Sequence, residues 1–267
     1  MTTRRRLVVD GFALRLHESA DRVASDTPTY VLIHGVGMSH RSLARLHAQL
    51  AVHARVLSVD LPGFAGLPAP ARDLDIAAMG GVLGRLLAMT GVTEAILVGH
   101  SMGAQWAIET SLAAPDRVIG VVLIGPVVDD HHRSLPAQGR ALAVDTLRES
   151  LAANAIVFTD YIRCGIRWYL RQVRHMVEYP TQERLRRSSV PVLLVRGGDD
   201  AVAGADWCRR LGDAAMVDLV ELAGHAHNVQ HSAPAAVGAA VSAWAAGLLA
   251  KGPTPMRPRN GRASSAR

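Results

Sequence analysis

Four short segments hold the residue types that nucleophilic acyl chemistry needs. The first is Gly99-His100-Ser101-Met102-Gly103, between an apolar run at Ala95–Val98 and a helical run at Ala104–Ala113. G-x-S-x-G at a strand-to-helix junction is the context of a nucleophile elbow. A serine on so tight a turn needs small residues two before and two after it, so that neighbouring backbone can pass. The turn projects Oγ above the sheet at a helix N-terminus, where the dipole and open N–H groups favour developing negative charge.

The second segment is His34-Gly35-Val36-Gly37, directly after the apolar run Tyr30–Ile33. A glycine-rich turn there presents a backbone N–H toward the serine, and Met102, the residue after the nucleophile, presents another. We assign Val36 and Met102 as oxyanion donors acting through backbone alone. The third is Gly224-His225, after the run Ala215–Leu222 and before a helix at Pro234–Leu249. An imidazole takes the Oγ proton and returns it to the leaving group, and His225 is assigned that role, with His227 and His231 close by. Three histidines in seven residues also raise metal binding, but no carboxylate or cysteine in the segment completes a ligand set. The fourth is Gly197-Gly198-Asp199-Asp200 after Val190–Val195, where a carboxylate can orient the imidazole. Asp199 and Asp200 are both in position, with Asp129 or Asp130 as a fallback.

The elements that must position these groups alternate. Tyr30–Ile33, Val56–Val59, Ala95–Val98, Val118–Ile124, Val190–Val195 and Ala215–Leu222 read as strands buried on both faces. Between them, apolar residues recur at helical spacing, as in Leu43, Leu46 and Leu50. Alternation of this kind predicts an open α/β sheet with right-handed crossovers. Arg6–Val9 and Phe12–Leu16 flank Asp10-Gly11 and read as a β-hairpin. Residues 127–189 break the alternation. They are Arg-rich and helical in pattern, and they hold five of the eleven Phe, Trp and Tyr residues, so we read them as a helical insertion between two strands. The division is 1–126 with 190–250 for the core, 127–189 for the insertion and 251–267 for a disordered basic tail.

Bulk properties narrow the function classes. The 267 residues carry a formal charge of +6. Lys251, Arg257, Arg259, Arg262 and Arg267 make the tail +5 without an acid, and ten arginines against six acids make segment 130–189 +4. The rest is near balance, which argues against a nucleic-acid partner, as does an aromatic content of 4%. Cys164 and Cys208 have no CxxC spacing and read as free thiols. No signal peptide or membrane span is legible, so the expectation is a cytoplasmic protein with a small-molecule substrate and no membrane partner. No cofactor or metal is expected, and oligomeric state is left open.

With these segments in order, the chain resembles the α/β-hydrolase fold superfamily, in its compact bacterial esterase-like branch. The resemblance covers about residues 6–250 and rests on HGVG at 34–37, DLPGF at 60–64, GHSMG at 99–103, GGDD at 197–200 and GH at 224–225. It implies a mostly parallel eight-stranded sheet with helices on both faces and a helical cap after strand 6. It also implies that the acid lies three residues after Gly197, which selects Asp200 over Asp199, and that Asp60 organises its loop without catalytic duty. Dehalogenases and epoxide hydrolases of this fold use an aspartate nucleophile, so Ser101 points away from both. His100 before the serine leans toward esters over carbon–carbon bonds. The implied reaction is hydrolysis of a small or medium carboxylic ester, lactone or thioester by a Ser101–Asp200–His225 triad. The alternatives are C–C bond hydrolysis of an anionic diketo acid and slow-turnover ligand binding. Met38, Trp106 and Trp168 are the expected pocket residues. Arg163, Arg167, Arg171 and Arg174 form a stripe that is either a solvated face or, through Arg167 above all, a carboxylate clamp.

Overall fold

Asp10 (φ 52°) and Gly11 (φ 80°) both adopt positive φ, the requirement of a two-residue type I′ hairpin turn. They join β1 (Thr2–Val9) to β2 (Phe12–Ser19), with Val9 opposite Phe12. The hairpin is longer than the apolar runs suggest, because its outer half is an exposed, arginine-bearing strand. The structure is a computed structural model and describes residues 2–19, 27–129, 151–213 and 216–251.

Eight strands form one sheet in the order β1-β2-β4-β3-β5-β6-β7-β8. Here β3 is Thr29–Ile33, β4 Val56–Asp60, β5 Ala95–His100, β6 Val118–Ile124, β7 Val192–Gly197 and β8 Val217–Leu222. Pairing is antiparallel for β1–β2 and β2–β4 and parallel from β4 to β8. The mostly parallel eight-stranded α/β sheet read from the sequence is therefore present.

Strand residues alternate between two apolar layers. Tyr30, Leu32, Ile96 and Val98 pack with Leu43, Leu46 and Leu50 at and within α1 (Ala44–Leu50) and with Val237 and Val241 of α9 (Pro234–Ala250). Val31, Ile33 and Leu97 pack on the other face with Val82, Leu83 and Leu86 of α2 (Ile76–Met89) and Trp106 and Ile108 of α3 (Met102–Ala113). One strand departs from expectation. β8 alternates between half-buried and exposed residues, with Leu219 42% exposed, because it is the last strand of the sheet and is not covered on both faces.

Between β6 and β7 lie α4 (Leu151–Cys164), α5 (Ile166–Glu178) and α6 (Thr181–Arg186), hereafter the cap. Residues 130–150 of the expected insertion, and all of the expected tail except Lys251, lie outside the described residues. The cap is fastened to the sheet layer by buried polar bonds. Asp160 Oδ2 accepts from Ser39 Oγ at 2.5 Å, and Gln172 donates to the Leu74 carbonyl at 2.9 Å. Glu109 of α3 binds Arg184 through both oxygens and Tyr179 Oη at 2.8 Å. After β7 follow α7 (Ala205–Gly212), β8, the single turn α8 (Val229–Ser232) and α9.

Candidate active site

Ser101 sits at φ 57°, ψ −123°, between the end of β5 and the start of α3. That is a strained conformation for a residue with a Cβ, and such strain concentrates where surrounding structure over-determines it. The surroundings do so here. A Cβ on Gly99 would lie 2.2 Å from the Gly103 carbonyl oxygen, and one on Gly103 2.3 Å from that of Ile33. The Ser101 N–H donates to the Ile124 carbonyl at 2.9 Å, tying the elbow to the end of β6.

The acid stands on the turn after β7. Asp200 is buried, and its Oδ1 accepts the amides of Val202 and Ala203, each at 2.8 Å. Its Oδ2 faces His227 Nδ1 at 2.9 Å. Burial pushes the Asp200 carboxyl up, but His227 and the two amides outweigh it and hold the group below its ordinary range, as an anion. Asp199 is exposed, and Asp129 pairs with Arg210. Asp130 lies outside the described residues.

The histidine on Asp200 is His227, not the expected His225. The chain passes over the end of β7 so closely that a Cβ on Gly197 would lie 2.1 Å from the His225 carbonyl oxygen. That carbonyl accepts the Asp199 amide at 2.9 Å, so His225 meets the strand through its backbone. Its ring turns to Ser232 Oγ at 3.0 Å. Two residues on, the ring of His227 comes back onto the carboxylate. With Nδ1–H given to Asp200, the neutral ring presents Nε2 as the proton acceptor. His100, next to the nucleophile, braces it. The two rings are 4.9 Å apart, and His100 Nε2 donates to the His227 carbonyl at 3.2 Å. Burial, with help from His227, pushes the His100 pKa down to about 3, which keeps it neutral. Gly125 closes the arrangement. At φ 53° it offers no side chain where a Cβ would lie 2.9 Å from His227 Nδ1 and 3.1 Å from Asp200 Oδ2.

The glycine turn after β3 adjoins the serine, since a Cβ on Gly35 would lie 3.0 Å from Ser101 Cβ. His34 is fully buried and neutral, its pKa lowered chiefly by burial. Its Nδ1–H donates to the Gly35 carbonyl at 2.8 Å while Nε2 accepts the Leu61 amide at 3.2 Å. In a trans peptide the N–H of the next residue points opposite to the carbonyl. Fixing the Gly35 carbonyl therefore fixes the direction of the Val36 N–H. Met102 opens α3, where the amide has no acceptor within the helix.

Of the expected pocket residues, Met38 lines a small cleft with Ser42, Ile156, Val157, Asn228 and His231. Trp106 is instead fully buried under His34 and Phe64. Trp168 is buried where cap meets core, against Phe64 and the backbone of Gly63. Arg167 is exposed, and the other stripe arginines are engaged elsewhere. Arg163 donates to the Ala65 carbonyl at 3.1 Å, Arg171 lies over Trp168 and Arg174 pairs with Glu178.

Two clusters go beyond the sequence reading, which gave Asp60 the organising of its loop but none of its side-chain partners. One is the buried Glu109–Tyr179–Arg184 set. The other surrounds Asp60, whose oxygens receive His17, His40, the His40 amide and Arg15 at 2.8–3.2 Å. Burial pushes the Asp60 carboxyl up, but the two histidines outweigh it and hold it well below the carboxylate range. The ligand atoms of His17, His40 and Asp60 lie within 4.8 Å of one another. However, the two rings are stacked at 3.4 Å and nearly parallel, so their nitrogens aim side by side at separate carboxylate oxygens rather than at a common point. Only tertiary contact reveals this group, because its members are 17, 40 and 60 in the chain.

Three comparisons bear on this geometry. An uncharacterized protein of Mycobacterium tuberculosis is 30% identical over 147 residues, covering 52% of this chain and 42% of that protein, so the chain spans less than half of that relative. A 2-hydroxy-6-oxononadienedioate/2-hydroxy-6-oxononatrienedioate hydrolase of Burkholderia vietnamiensis is 28% identical over 240 residues, covering 77% of this chain and 81% of that one. The crystal structure of the esterase RhEst1 from a Rhodococcus species superposes with a TM-score of 0.72 at 22% identity, covering 92% of this chain and 99% of the other. The model of the alpha/beta hydrolase family matches residues 30–240, which takes in every element from β3 to α9 that carries the residues above. The chain belongs to the alpha/beta hydrolase family.

Proposed function

We propose that this hydrolase cleaves a small or medium carboxylic ester through an acyl-enzyme on Ser101. The observation that carries the reading is the His227–Asp200 hydrogen bond, braced by His100 directly beside the strained serine. In the first half-reaction Ser101 Oγ attacks the ester carbonyl and His227 Nε2 takes its proton. The Val36 and Met102 amides receive the oxyanion, and the proton passes to the departing alcohol. Water then attacks the acyl-serine, giving its proton to His227, and the carboxylic acid leaves with Ser101 restored. Asp200 stays ionised and holds the imidazolium. The adjoining small cleft is apolar at Met38, Ile156 and Val157 and polar at Ser42, Asn228 and His231.

The Burkholderia relative's name suggests C–C bond hydrolysis of an anionic diketo acid instead. No cap arginine lines the cleft among the described residues, which favours the neutral ester. The test is turnover of a p-nitrophenyl ester series by wild type and Ser101→Ala. Hydrolysis that falls with chain length and vanishes in the mutant is expected. Turnover of diketo acids alone, or tight ligand binding without turnover, overturns the ester reading.

A further inference from the structure

Four large apolar side chains on the cap face water. Phe158 (65% exposed) and Ile162 lie one turn apart on α4, and Ile166 and Leu170 one turn apart on α5, with only Gly165 between the helices. The opposite sides of both helices are spoken for. Asp160 of α4 holds Ser39 and Arg41, while Trp168, Gln172 and Met176 of α5 are buried against the core. The apolar stripe therefore points away from the hydrolase body. Single exposed apolar residues are ordinary, but two exposed apolar pairs on consecutive helices joined through one glycine make an interaction surface.

The charges around the stripe identify its partner. Residues 154–178 carry Arg163, Arg167, Arg171 and Arg174 against two carboxylates, of which Asp160 is buried and Glu178 is paired with Arg174. Arg167 and Arg174 stand on the same exposed side of α5 as Ile166 and Leu170, by helical spacing. Apolar residues interleaved with arginines on a helix face are the pattern of a segment lying in a membrane interface. There the apolar groups enter the acyl boundary and the guanidinium groups meet lipid phosphates. A second copy of the chain fits poorly, because a two-fold contact would set one arginine stripe against another.

We propose that the α4–α5 face of the cap docks on an anionic lipid surface through Phe158, Ile162, Ile166 and Leu170, with Arg167 on the headgroups and the exposed Arg171 and Arg174 exchanging Trp168 and Glu178 for lipid phosphate. This adds a membrane surface to a chain whose described residues hold no helix long and apolar enough to cross one. The docking does not depend on the serine chemistry, so Ser101→Ala should bind vesicles as wild type does.

The test is co-sedimentation of the full chain with vesicles of phosphatidylcholine containing phosphatidylglycerol, and with pure phosphatidylcholine, at physiological salt. Wild type is expected to partition onto the anionic vesicles only. The F158S/I162S/I166S/L170S variant should lose about tenfold or more of that partitioning. It should keep its thermal midpoint and its turnover of a soluble ester, since the four side chains are exposed and outside the cleft. Arg171→Gln/Arg174→Gln should weaken binding and flatten its salt dependence. Absence of binding by wild type overturns the proposal. So does full binding by the four-serine variant, which would place the contact elsewhere, for example on the basic stretch after Lys251. A dimer of the wild type that the variant abolishes overturns it in favour of self-association.

Discussion

The choice between two histidines two residues apart carries a sharp prediction at the residue scale. Of the two, only His227 reaches Asp200, so His227→Ala should lower kcat/KM by about six orders of magnitude, as removal of a triad base does. His225→Ala should leave kcat/KM near the wild-type value, because its ring hydrogen-bonds Ser232 away from Asp200 and its carbonyl, which the substitution keeps, is what binds the strand end. Steady-state kinetics on one p-nitrophenyl ester checks both. Ser101 and the turn at residues 34–37 stood out in the sequence because each follows the end of an apolar run, whereas Asp200 stood out only as one of a pair with Asp199 until the family resemblance chose between them. The histidine was legible only to within its segment. How far the chain travels over the end of β7 before turning back depends on backbone contacts to Gly197 and Asp199, which have no signature in residue type.

Among the elements, β6 and α3 do unobvious duty. β6 ends in Ile124, which fixes the Ser101 amide, and then in Gly125, which makes room for His227 and Asp200. Gly125→Ala should destabilise the fold by about 1–2 kcal/mol from its positive φ alone. It should also cut kcat, because the new methyl occupies the space beside the imidazole. Denaturant unfolding and kcat measure the two effects separately. α3 is capped by Ser101, the proposed nucleophile, and carries Glu109 two turns later, where the cap attaches. Glu109→Ala strips Arg184 and Tyr179 of their shared partner and should cost about 2–4 kcal/mol, read by urea unfolding. Helix and strand positions were largely evident from periodicity. The cap fastenings were not, since Glu109, Gln172 and Asp160 look like ordinary surface residues on their helices until the cap is laid over the core.

For the whole molecule, the parallel sheet was readable because six apolar runs alternate with helical stretches. The partial exposure of β8 was not, since a run's own residues do not say that it is the edge. The distribution of buried histidines has a consequence in pH. Burial lowers His34, His47 and His100 from the ordinary value of 6.5, the last two to about 4 and about 3. A histidine lowered on folding is neutral in the native state while its unfolded counterpart takes up a proton. The stability it contributes is therefore complete above pH 6.5 and lost as pH falls from there toward the native pKa. The thermal midpoint should fall between about pH 6.5 and pH 4. His47→Gln should shallow the descent, whereas a flat profile across that window would contradict the burial of these rings.

Among the described residues, the proposed nucleophile, base and acid, Ser101, His227 and Asp200, all stand beyond strand ends of the sheet. The cap supplies none of them. It meets the site where Tyr161 and Tyr169 rest on Gly37 and Asp160 grips Ser39, and it is fastened to the core elsewhere through Trp168, Gln172, Tyr179 and Arg184. Such a layout separates two kinds of inheritance. Mutations in the helices between β6 and β7 can drift toward new substrates without retuning the reaction, so long as these contacts are kept. A foreign cap grafted with its own counterparts of Tyr161, Tyr169 and Asp160, and of Gln172, Tyr179 and Arg184, should leave the proposed catalytic residues in place.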